Sequence, residues 1–499
     1  MSEVTRNSVF AIKEEVTEGT PLKPTSGTDG YIALQEGFSM EPSFETLDSS
    51  ELQAGSIGKA KSSLGLENPT GSISHYLRHS GVEGAAPDFG LLIESCLGTE
   101  TINSTERLTA AASTTSLIKL ASGGSDFDRG KAMLIKDATN GYSIRNVLSM
   151  STNDATPAFN LSAAPAIGLG VGKCINYAPA TSTPSFTSWL FRGNGGAIET
   201  MAGCKVNEMA ITCEAGGYIN CDFSFEGTQY YFDPILISAT NNKLDFNEGG
   251  SEITATITSK LYKDPIQLQD EISSQLNAVA TATITVTYSN STGKFTIASG
   301  GATFAILWNT GTNTLVSIGT TIGFAVAADD TGALTYTSDN AISFTSYHTA
   351  TYDSADPLVA KSNQVMLGSA TDNSCFEASS VNVTVSNSKA DIKSVCSDSG
   401  KSGSFFNSRE VSIELVALLT RFQAQWFKKF RNGDNVQFAY TGGTKTGVNW
   451  DAGKCFNMFS PTSTITSFSL GDADGLITLN MSLKAYVASG AGEFYVNFL

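Results

Sequence analysis

The residues best suited to metal chemistry in this sequence are two histidines four positions apart. His75 and His79 have the spacing that places two imidazoles on one face of a helix, and Glu83 would continue that face. The surrounding sequence, S-I-S-H-Y-L-R-H-S-G, instead indicates a strand that ends at Gly81. We therefore interpret both histidines as surface residues and predict neither a metal site nor a cofactor.

Two further motifs resemble ligand-binding loops without meeting their spacing. Residues 472–475, D-A-D-G, begin like a calcium loop, but Leu483 stands where that loop needs a glutamate, so a hairpin turn is predicted. Residues 168–173, G-L-G-V-G-K, fail the spacing of a phosphate-binding loop. The sequence has no G-x-S-x-G nucleophile elbow and few histidines for acid–base catalysis, so we predict that the chain is not an enzyme.

Two long hairpins carry a more regular set of polar side chains. Residues 203–227 predict a hairpin whose turn, 214–217, contains glycines that tolerate a positive φ. Its return arm alternates with a period of two, which gives one apolar and one polar face, and residues 464–486 repeat this layout. The polar positions are Asn220, Asp222, Ser224 and Glu226, with Thr478, Asn480, Ser482 and Lys484 as counterparts. The apolar positions are Ile219, Cys221, Phe223 and Phe225, with Ile477, Leu479, Met481 and Leu483 as counterparts.

The composition is typical of a large β-rich structural protein. The 499 residues allow two or more domains, and 41% of them are hydrophobic, which excludes a disordered chain. Only 16% are charged, whereas small polar residues are abundant. The net charge of −17 opposes tight binding of nucleic acid, which needs Lys and Arg to displace counterions. It is compatible with a repulsive surface past which nucleic acid slides.

The sequence shows no targeting signal and no cysteine motif. The first residues contain no apolar segment of the signal-peptide type, and no window is long enough to span a bilayer, so we expect no membrane association. None of the eight cysteines forms a C-x-x-C pair. We interpret them as reduced and structural, with disulfides as the alternative if the protein leaves the cell.

Three helices are predicted to position these elements. The first covers residues 87–98, with its apolar stripe in helical spacing and a glycine at its end. The second begins with Asp264 as N-cap and Pro265 in the first turn, and two alternating strands follow it. The third is predicted within residues 411–431, where apolar residues recur at helical spacing before a cationic last turn and Gly433.

The order of these motifs resembles that of the major tail tube proteins of long-tailed, non-contractile (siphovirus-type) phages. The matching motifs are E-x-x-x-E-G-T-P, S-F-E-T-L-D, K-S-S-L-G-L-E-N-P-T-G-S-I, D-F-G-L-L-I-E-S-C-L-G and, at 203–211, G-C-K-V-N-E-M-A-I. The resemblance covers residues 8–100 and 190–232, with weaker echoes in 360–486. It implies a structural component of the virion tail that is assembled in the host cytoplasm.

The resemblance and the repeated hairpins together predict a mainly β fold. It comprises two tail-tube modules of β-sandwich or barrel type, each with one helix, and inserted small β and α+β decoration domains. The predicted bounds are 1–107 with 181–241 for the first module, 108–180 for a small β-barrel insertion, 242–346 for the α+β domain and 347–499 for the second module.

The family also implies how copies of the chain assemble. Hairpins of neighbouring chains would close into a barrel whose polar positions, named above, line a mildly negative lumen. Two modules per chain predict a homotrimeric ring with pseudo-six-fold symmetry, and a homohexamer is the alternative. The expected partners are the tape-measure protein in the lumen, the tail terminator and tail tip proteins, and DNA in transit. The long loop 40–71 is predicted to reach the next ring through Met40, Phe44, Leu47, Leu52, Ile57 and Leu64.

A different class of function also fits a β-rich chain. A secreted glycan-binding or glycan-cleaving protein would use paired carboxylates, for which Asp472 with Asp474, or Asp329 with Asp330, are the candidates. Adjacent acids in turns are more often only solvated. The missing signal peptide and the two module copies favour the tube.

Overall fold

The computed structural model describes residues 5–50, 61–193, 197–301, 303–345, 347–419, 424–473, 475–487 and 492–499. Strands dominate these residues and form several antiparallel sheets, so the prediction of a mainly β protein is confirmed. Among the described helices, none combines the length and the apolar character needed to cross a membrane.

The elements of the first half, in chain order, are β1 (Val9–Glu14), β2 (Tyr31–Ile32), β3 (Ser39–Glu41), β4 (Phe44–Leu47), β5 (Ser63–Glu67), β6 (Thr70–Tyr76), α1 (Gly90–Leu97), β7 (Gly98–Asn103), β8 (Arg107–Leu108), β9 (Ile118–Lys119), β10 (Ala132–Ile135), β11 (Ser143–Ser151), β12 (Asp154–Pro157), β13 (Gly170–Val171), β14 (Cys174–Pro179), β15 (Phe186–Arg192), β16 (Ala197–Glu214), β17 (Asn220–Glu226), β18 (Gln229–Phe232), β19 (Ile235–Leu236) and β20 (Lys243–Asn247). Those of the second half are β21 (Ile253–Thr256), β22 (Leu261–Tyr262), α2 (Pro265–Val279), β23 (Ile284–Ser289), β24 (Lys294–Ser299), β25 (Phe304–Ile306), β26 (Asp330–Ala333), β27 (Thr335–Thr337), β28 (Gln364–Gly368), β29 (Ala378–Lys393), β30 (Lys401–Leu418), α3 (Ala424–Asn432), β31 (Asn435–Thr446), β32 (Asn449–Ala473), β33 (Leu476–Ala485) and β34 (Tyr495–Phe498).

Both predicted hairpins are present, and they belong to one continuous sheet. The first is β16 with β17, and the second is β32 with β33. A third hairpin, β29 with β30, joins them, so that seven antiparallel strands run in the order β6, β17, β16, β29, β30, β33, β32. We call these seven strands the main sheet.

The same strand arrangement occurs twice around this sheet. The first part of β16 pairs with β15 and its second part with β17. In the same way, the first part of β32 pairs with β31 and its second part with β33. Each long strand therefore links the main sheet to a second layer of strands, and the core of the protein lies between the two layers.

The apolar face of the main sheet and α1 supply much of that core. Phe223, Val383 and Ile413 are buried on three strands of the main sheet, β17, β29 and β30, and Leu92 and Cys96 of α1 pack in the same cluster. Burying one such side chain stabilises the fold by about 1.5–3 kcal/mol. The predicted helix at 87–98 is thus confirmed with slightly shorter bounds.

The third predicted helix is wrong over its first part. Residues up to Leu418 continue β30, and α3 begins only at Ala424. Val411, Ile413 and Leu415 are buried at every second position, and β30 pairs with a strand on each side. Two ladders of backbone hydrogen bonds and a buried apolar face outweigh the helical spacing that the same leucines also provide.

A buried carboxylate fixes the loop that follows β1. Glu15 accepts hydrogen bonds from the backbone N–H of Gly19 at 2.8 Å and of Gly203 at 2.9 Å, and from the hydroxyls of Ser185 and Thr187 at 2.9 and 2.8 Å. Burial raises the pKa of Glu15, whereas these bonds stabilise its ionised form. One side chain thus ties the Gly-Thr-Pro loop to the strands β15 and β16.

The insertion after β7 shares its core with the main body. The strands β8 to β13 form one sheet, in the order β8, β13, β10, β11, β12, β9. Its buried residues cluster with Trp450, Cys455 and Leu499 from the C-terminal part of the chain. The following strand β14 pairs with β7 and β34 and belongs to the main body.

The α+β unit has a core of its own. This core runs from Ile235 to Ile342 and contains the buried face of α2, whose predicted N-cap is confirmed because the Asp264 carboxylate accepts the N–H of Gln267 at 2.7 Å. The chain enters and leaves this unit side by side. The Thr345 hydroxyl donates to the Pro234 carbonyl at 3.0 Å and accepts the Leu236 N–H at 3.2 Å.

We predict that residues 234–345 can be replaced by a short Gly/Ser linker without unfolding the rest of the chain, because the two ends meet and, of the unit's described residues, only Leu261 is buried in a cluster of the main body. Circular dichroism and thermal unfolding should show a cooperative transition close to that of the full chain. Replacement of residues 107–172 by the same linker is the matched comparison. It should lower the melting temperature strongly because it uncovers Trp450 and Leu499, and equal effects of both excisions would contradict the prediction.

Candidate functional site

The predicted polar residues of the two hairpins lie on one face of the main sheet. Side chains at paired positions of neighbouring antiparallel strands point to the same face. One row of paired positions consists of Asn220, Thr212, Asn382, Glu414 and Ser482, and the row two residues along consists of Asp222, Ala210, Thr384, Ser412 and Lys484. The structure therefore brings the two predicted sets together through a third hairpin that lies between them.

Hydrogen bonds between side chains hold this polar face, one from the loop between β2 and β3 and two between neighbouring strands. The Gln35 amide donates to Asn220 at 3.0 Å, and the Thr212 hydroxyl donates to Asn382 at 3.3 Å. The Ser386 hydroxyl donates to Glu208 at 3.3 Å. The face is thus a rigid polar surface whose opposite side is the apolar core.

Carboxylates dominate the charge of the face. Its acidic residues include Glu208, Glu214, Asp222, Glu226, Glu410 and Glu414. Lys484 lies among them and forms an ion pair with Glu410 at 2.7 Å. The Lys389 side chain is nearly buried beside Glu226, at 3.6 Å, so it exposes little charge. The result is a surface with an excess of negative charge.

The alternation predicted for the second hairpin changes at its tip. Ile477 is 57% exposed and Thr478 is 4% exposed, the reverse of the predicted pattern. β30 ends beside Thr478, so the first residues of β33, Leu476 and Ile477, pair only with β32 and extend past the covered part of the sheet. In the single chain Thr478 is therefore a buried residue, whereas Asn480, Ser482 and Lys484 follow the predicted alternation.

The two histidines are core residues, and their assignment as surface residues is wrong. His75 is 2% exposed and lies against the rings of Phe89 and Phe223, and His79 is 0% exposed and lies against Phe498. β6 ends at Tyr76, before the predicted end at 81. Burial lowers the pKa of each imidazole to about 4, so both are neutral at pH 7. Within the described residues, no group of His, Cys, Asp and Glu could hold a metal ion.

The remaining motifs have structural roles. Glu83 binds the Lys136 ammonium at 3.1 Å, and residues 168–173 include the short strand β13. The predicted turn after Ala473 is confirmed as the end of the β32–β33 hairpin.

The acid pair Asp329 and Asp330 is hydrogen-bonded within the α+β unit. Asp329 accepts the backbone N–H of Asn309 at 2.7 Å. Its neighbour Asp330 accepts the Trp308 indole N–H at 2.9 Å, so this acid pair is used within the fold.

The cysteines divide into two groups. Cys375 and Cys396 are exposed. The other six are buried and free: Cys96, Cys174, Cys204, Cys213, Cys221 and Cys455.

The residues predicted for the long loop differ in their surroundings. Met40 is 3% exposed and belongs to the core, so it is not available for contact with another chain. Phe44, Leu47 and Leu64 are exposed on a separate two-stranded ribbon formed by β4 and β5. Leu52 and Ile57 lie outside the described residues.

The β29–β30 hairpin extends beyond the main sheet and contacts this ribbon. The Glu67 N–H donates to the Ser399 carbonyl at 3.3 Å. Lys401 binds both Asp391, at 2.7 Å, and the Asn68 amide oxygen, at 2.5 Å. The alternating valines at 381, 383 and 385 predict a strand, which is part of β29, but sequence analysis missed its pairing with β30.

Apolar residues are exposed at both ends of the main sheet. At the end with the 394–400 turn these are Ile392, Val395 and Phe405, together with Phe44, Leu47 and Leu64 of the ribbon. At the opposite end they are Leu418, Leu470, Leu476 and Ile477. The strand pairing of β29, β30 and β33 places the two groups at opposite ends of the strands.

Comparison with known protein families gives a match to the first half of the chain. A family model described as phage tail tube protein matches residues 5–259, which is just over half of the chain. The match includes β16 and β17 and ends within the α+β unit. No curated protein matches the chain.

We predict that the buried histidines make the fold sensitive to acid. The unfolded chain binds these protons near the ordinary pKa of 6.5, whereas the folded chain binds them only near pH 4. The free energy of unfolding should therefore fall between pH 6.5 and 4, by up to about 3 kcal/mol for each histidine. Denaturant titrations across this range should show a smaller fall for His75→Leu than for the native chain. His348→Leu, at an exposed position, is the control, and equal slopes for all three proteins would contradict the prediction.

Proposed function

Because the chain belongs to the phage tail tube protein family, we propose that the polar face of its main sheet lines the channel of a tail tube. The observation that carries this proposal is the continuous register of mostly polar side chains across the five strands β17, β16, β29, β30 and β33, opposite a buried apolar face. The surface of a lumen that admits nucleic acid must be polar, and the opposite face of the same sheet must be buried against the protein core. The chain acts in this proposal as a structural subunit, without enzymatic activity or a cofactor.

Free strand edges favour closure of the main sheet into a barrel between subunits. In the part of the chain that the structure describes, residues 466–473 of β32 pair with β33 alone. An unpaired edge invites pairing with another chain, and a closed barrel removes such edges. On the other side of the main sheet, β3 pairs with residues 70–72 of β6 and has no other strand partner among the described residues. We propose that the free edge of β32 in one subunit meets this β3 edge of the next.

The repeated strand arrangement supports three subunits per ring. Each chain has two long strands, β16 and β32, that link the main sheet to the second layer, where a single-module subunit would have one. Three chains would therefore supply six such units, and the ring would be a homotrimer with pseudo-six-fold symmetry. A homohexamer is the alternative. The family match covers the first unit only, so the second rests on the strand pattern.

The charge of the proposed lumen suits transport of DNA. Carboxylates such as Asp222 and Glu414 repel phosphates, so that DNA passes without the affinity that each neutralised phosphate would add. Before ejection the same lumen would hold the tape-measure protein. Terminator and tip proteins would close the two ends of a non-contractile, siphovirus-type tail.

The exposed apolar residues at the two ends of the sheet suggest how rings stack. Complementary patches at opposite ends of one subunit generate a head-to-tail contact, which does not close and therefore builds a filament. We propose that the β4–β5 ribbon and the 394–400 turn of one ring contact Leu418, Leu470, Leu476 and Ile477 of the next. Met40 has no part in this contact because it is buried.

The number of chains per ring is the first prediction from this proposal. Electron microscopy of the purified protein should show rings or filaments with a central hole. Native mass spectrometry of single rings should give the mass of three chains. A ring of six chains would contradict the homotrimer while leaving the tube intact, and compact monomers at every concentration would contradict the tube.

The lumen assignment predicts that assembly protects Asp222. In a background in which the exposed Cys375 and Cys396 are changed to serine, Asp222→Cys should react with a bulky thiol reagent in monomers but only slowly in tubes. Asp270→Cys, on the exposed face of α2, is the matched control and should react equally in both states. Equal labelling of position 222 in monomers and tubes would show that it does not face a closed channel.

A further inference from the structure

A cavity of about 310 Å³ lies between the insertion and the turn that joins β31 to β32. Tyr142 and Arg145 line it from β11 and the preceding turn, and Lys445 and Trp450 line it from the opposite side. Its volume falls at the lower end of the range of about 300–1,000 Å³ that is typical of small-molecule sites. The cavity is remote in sequence from the lumen residues and has no part in the proposed tube.

Arg145 is a buried cation that forms no ion pair with a carboxylate of the described residues. The residue is 5% exposed, and its guanidinium donates to the backbone carbonyls of Ile144, at 2.8 Å, and Asn160, at 3.4 Å. Burial lowers its pKa to about 10, so the group stays charged at neutral pH. An isolated charge in a protein interior is unfavourable unless an opposite charge or several hydrogen bonds compensate for it. The two hydrogen bonds to carbonyl groups leave the other N–H groups of the guanidinium available to a ligand.

The carboxylate that lines the same cavity is engaged elsewhere. Asp137 accepts the backbone N–H groups of Thr139 and Asn140, at 2.9 and 3.1 Å, and the Asn140 side-chain amide at 2.9 Å. These bonds lower the pKa of Asp137, the Asn140 side chain contributing most. Asp137 therefore closes its own turn and does not neutralise Arg145.

A second cation lies at the rim of the cavity. The Lys445 ammonium is 3.8 Å from the centre of the Trp450 ring and donates to the Ser362 carbonyl at 2.7 Å. These contacts hold the lysine beside the cavity without giving it a negative partner. Two cations and one ionised carboxylate, Asp137, thus line the cavity, which leaves one excess positive charge there in a chain with a net charge of −17.

We propose that this cavity binds a small oxyanion ligand, a carboxylate- or phosphate-bearing group of about the size of one sugar unit. The planar guanidinium of Arg145 offers the paired N–H donors that match either oxyanion. Lys445 adds a second positive charge at the entrance. Asn140, Gln364 and Ser143 also line the cavity and supply groups that can hydrogen-bond to the hydroxyls of a sugar.

The test measures binding of three probes to the full-length protein by isothermal titration calorimetry and by Trp fluorescence. Inorganic phosphate and D-glucuronate represent the two oxyanions, and neutral D-glucose is the control. At least one anion should bind, and glucose should not. Preference for phosphate or for glucuronate identifies the oxyanion. Failure of both anions to bind, or equal binding of glucose, would overturn the proposal.

Variants locate the binding. Arg145→Gln and Lys445→Gln should each weaken binding of the preferred anion about tenfold or more, because each removes a charge-assisted contact. Arg107→Gln is the matched control in the same insertion, since Arg107 is paired with Asp126 and does not line the cavity. It should bind like the native chain. If Arg145→Gln does not fold, Lys445→Gln, at an exposed residue, decides the test, and unchanged affinity in it would overturn the proposal.

Discussion

The structure depends on the backbone register of the main sheet. Alternate side chains on the seven strands face the core and are mostly apolar, with His75 of β6 as a buried polar exception, because one face of the sheet covers the core. A shift of one residue in any strand would move its polar side chains into that core and its apolar ones into water. The register therefore fixes the buried face and the polar face together, and the second layer, α1 and the Glu15 contacts all depend on it.

Sequence reasoning succeeded where a single period was present. The alternation in 218–226 predicts β17 and its polar face, and the capping residue Asp264 marks the start of α2. Both sequence signals are local, and each is compatible with only one secondary structure. The family match, which rests on residues 5–259, agrees with the resemblance noted in the motifs.

Sequence reasoning failed where two structures fit the same residues, and where the local structure depends on contacts with residues far away in the sequence. The leucines after Val411 satisfy a helical and a strand pattern, and only pairing with β29 and β33 decides between them. His75 and His79 look like exposed polar residues in the sequence, but the second layer covers them. The continuity of the polar face depends on the β29–β30 hairpin, whose partners are far away in sequence. No local pattern contains that information.

The attachment of the α+β unit has a mechanical consequence. The chain enters at Pro234 and leaves at Thr345, and these two points are held together by hydrogen bonds. A force applied along the strands of the main sheet is transmitted through their ladders and does not pass through a unit that is fastened at one place. The unit therefore bears no tension when an assembly of these chains bends or stretches. Its sequence is constrained by its own folding and by whatever its outer surface meets.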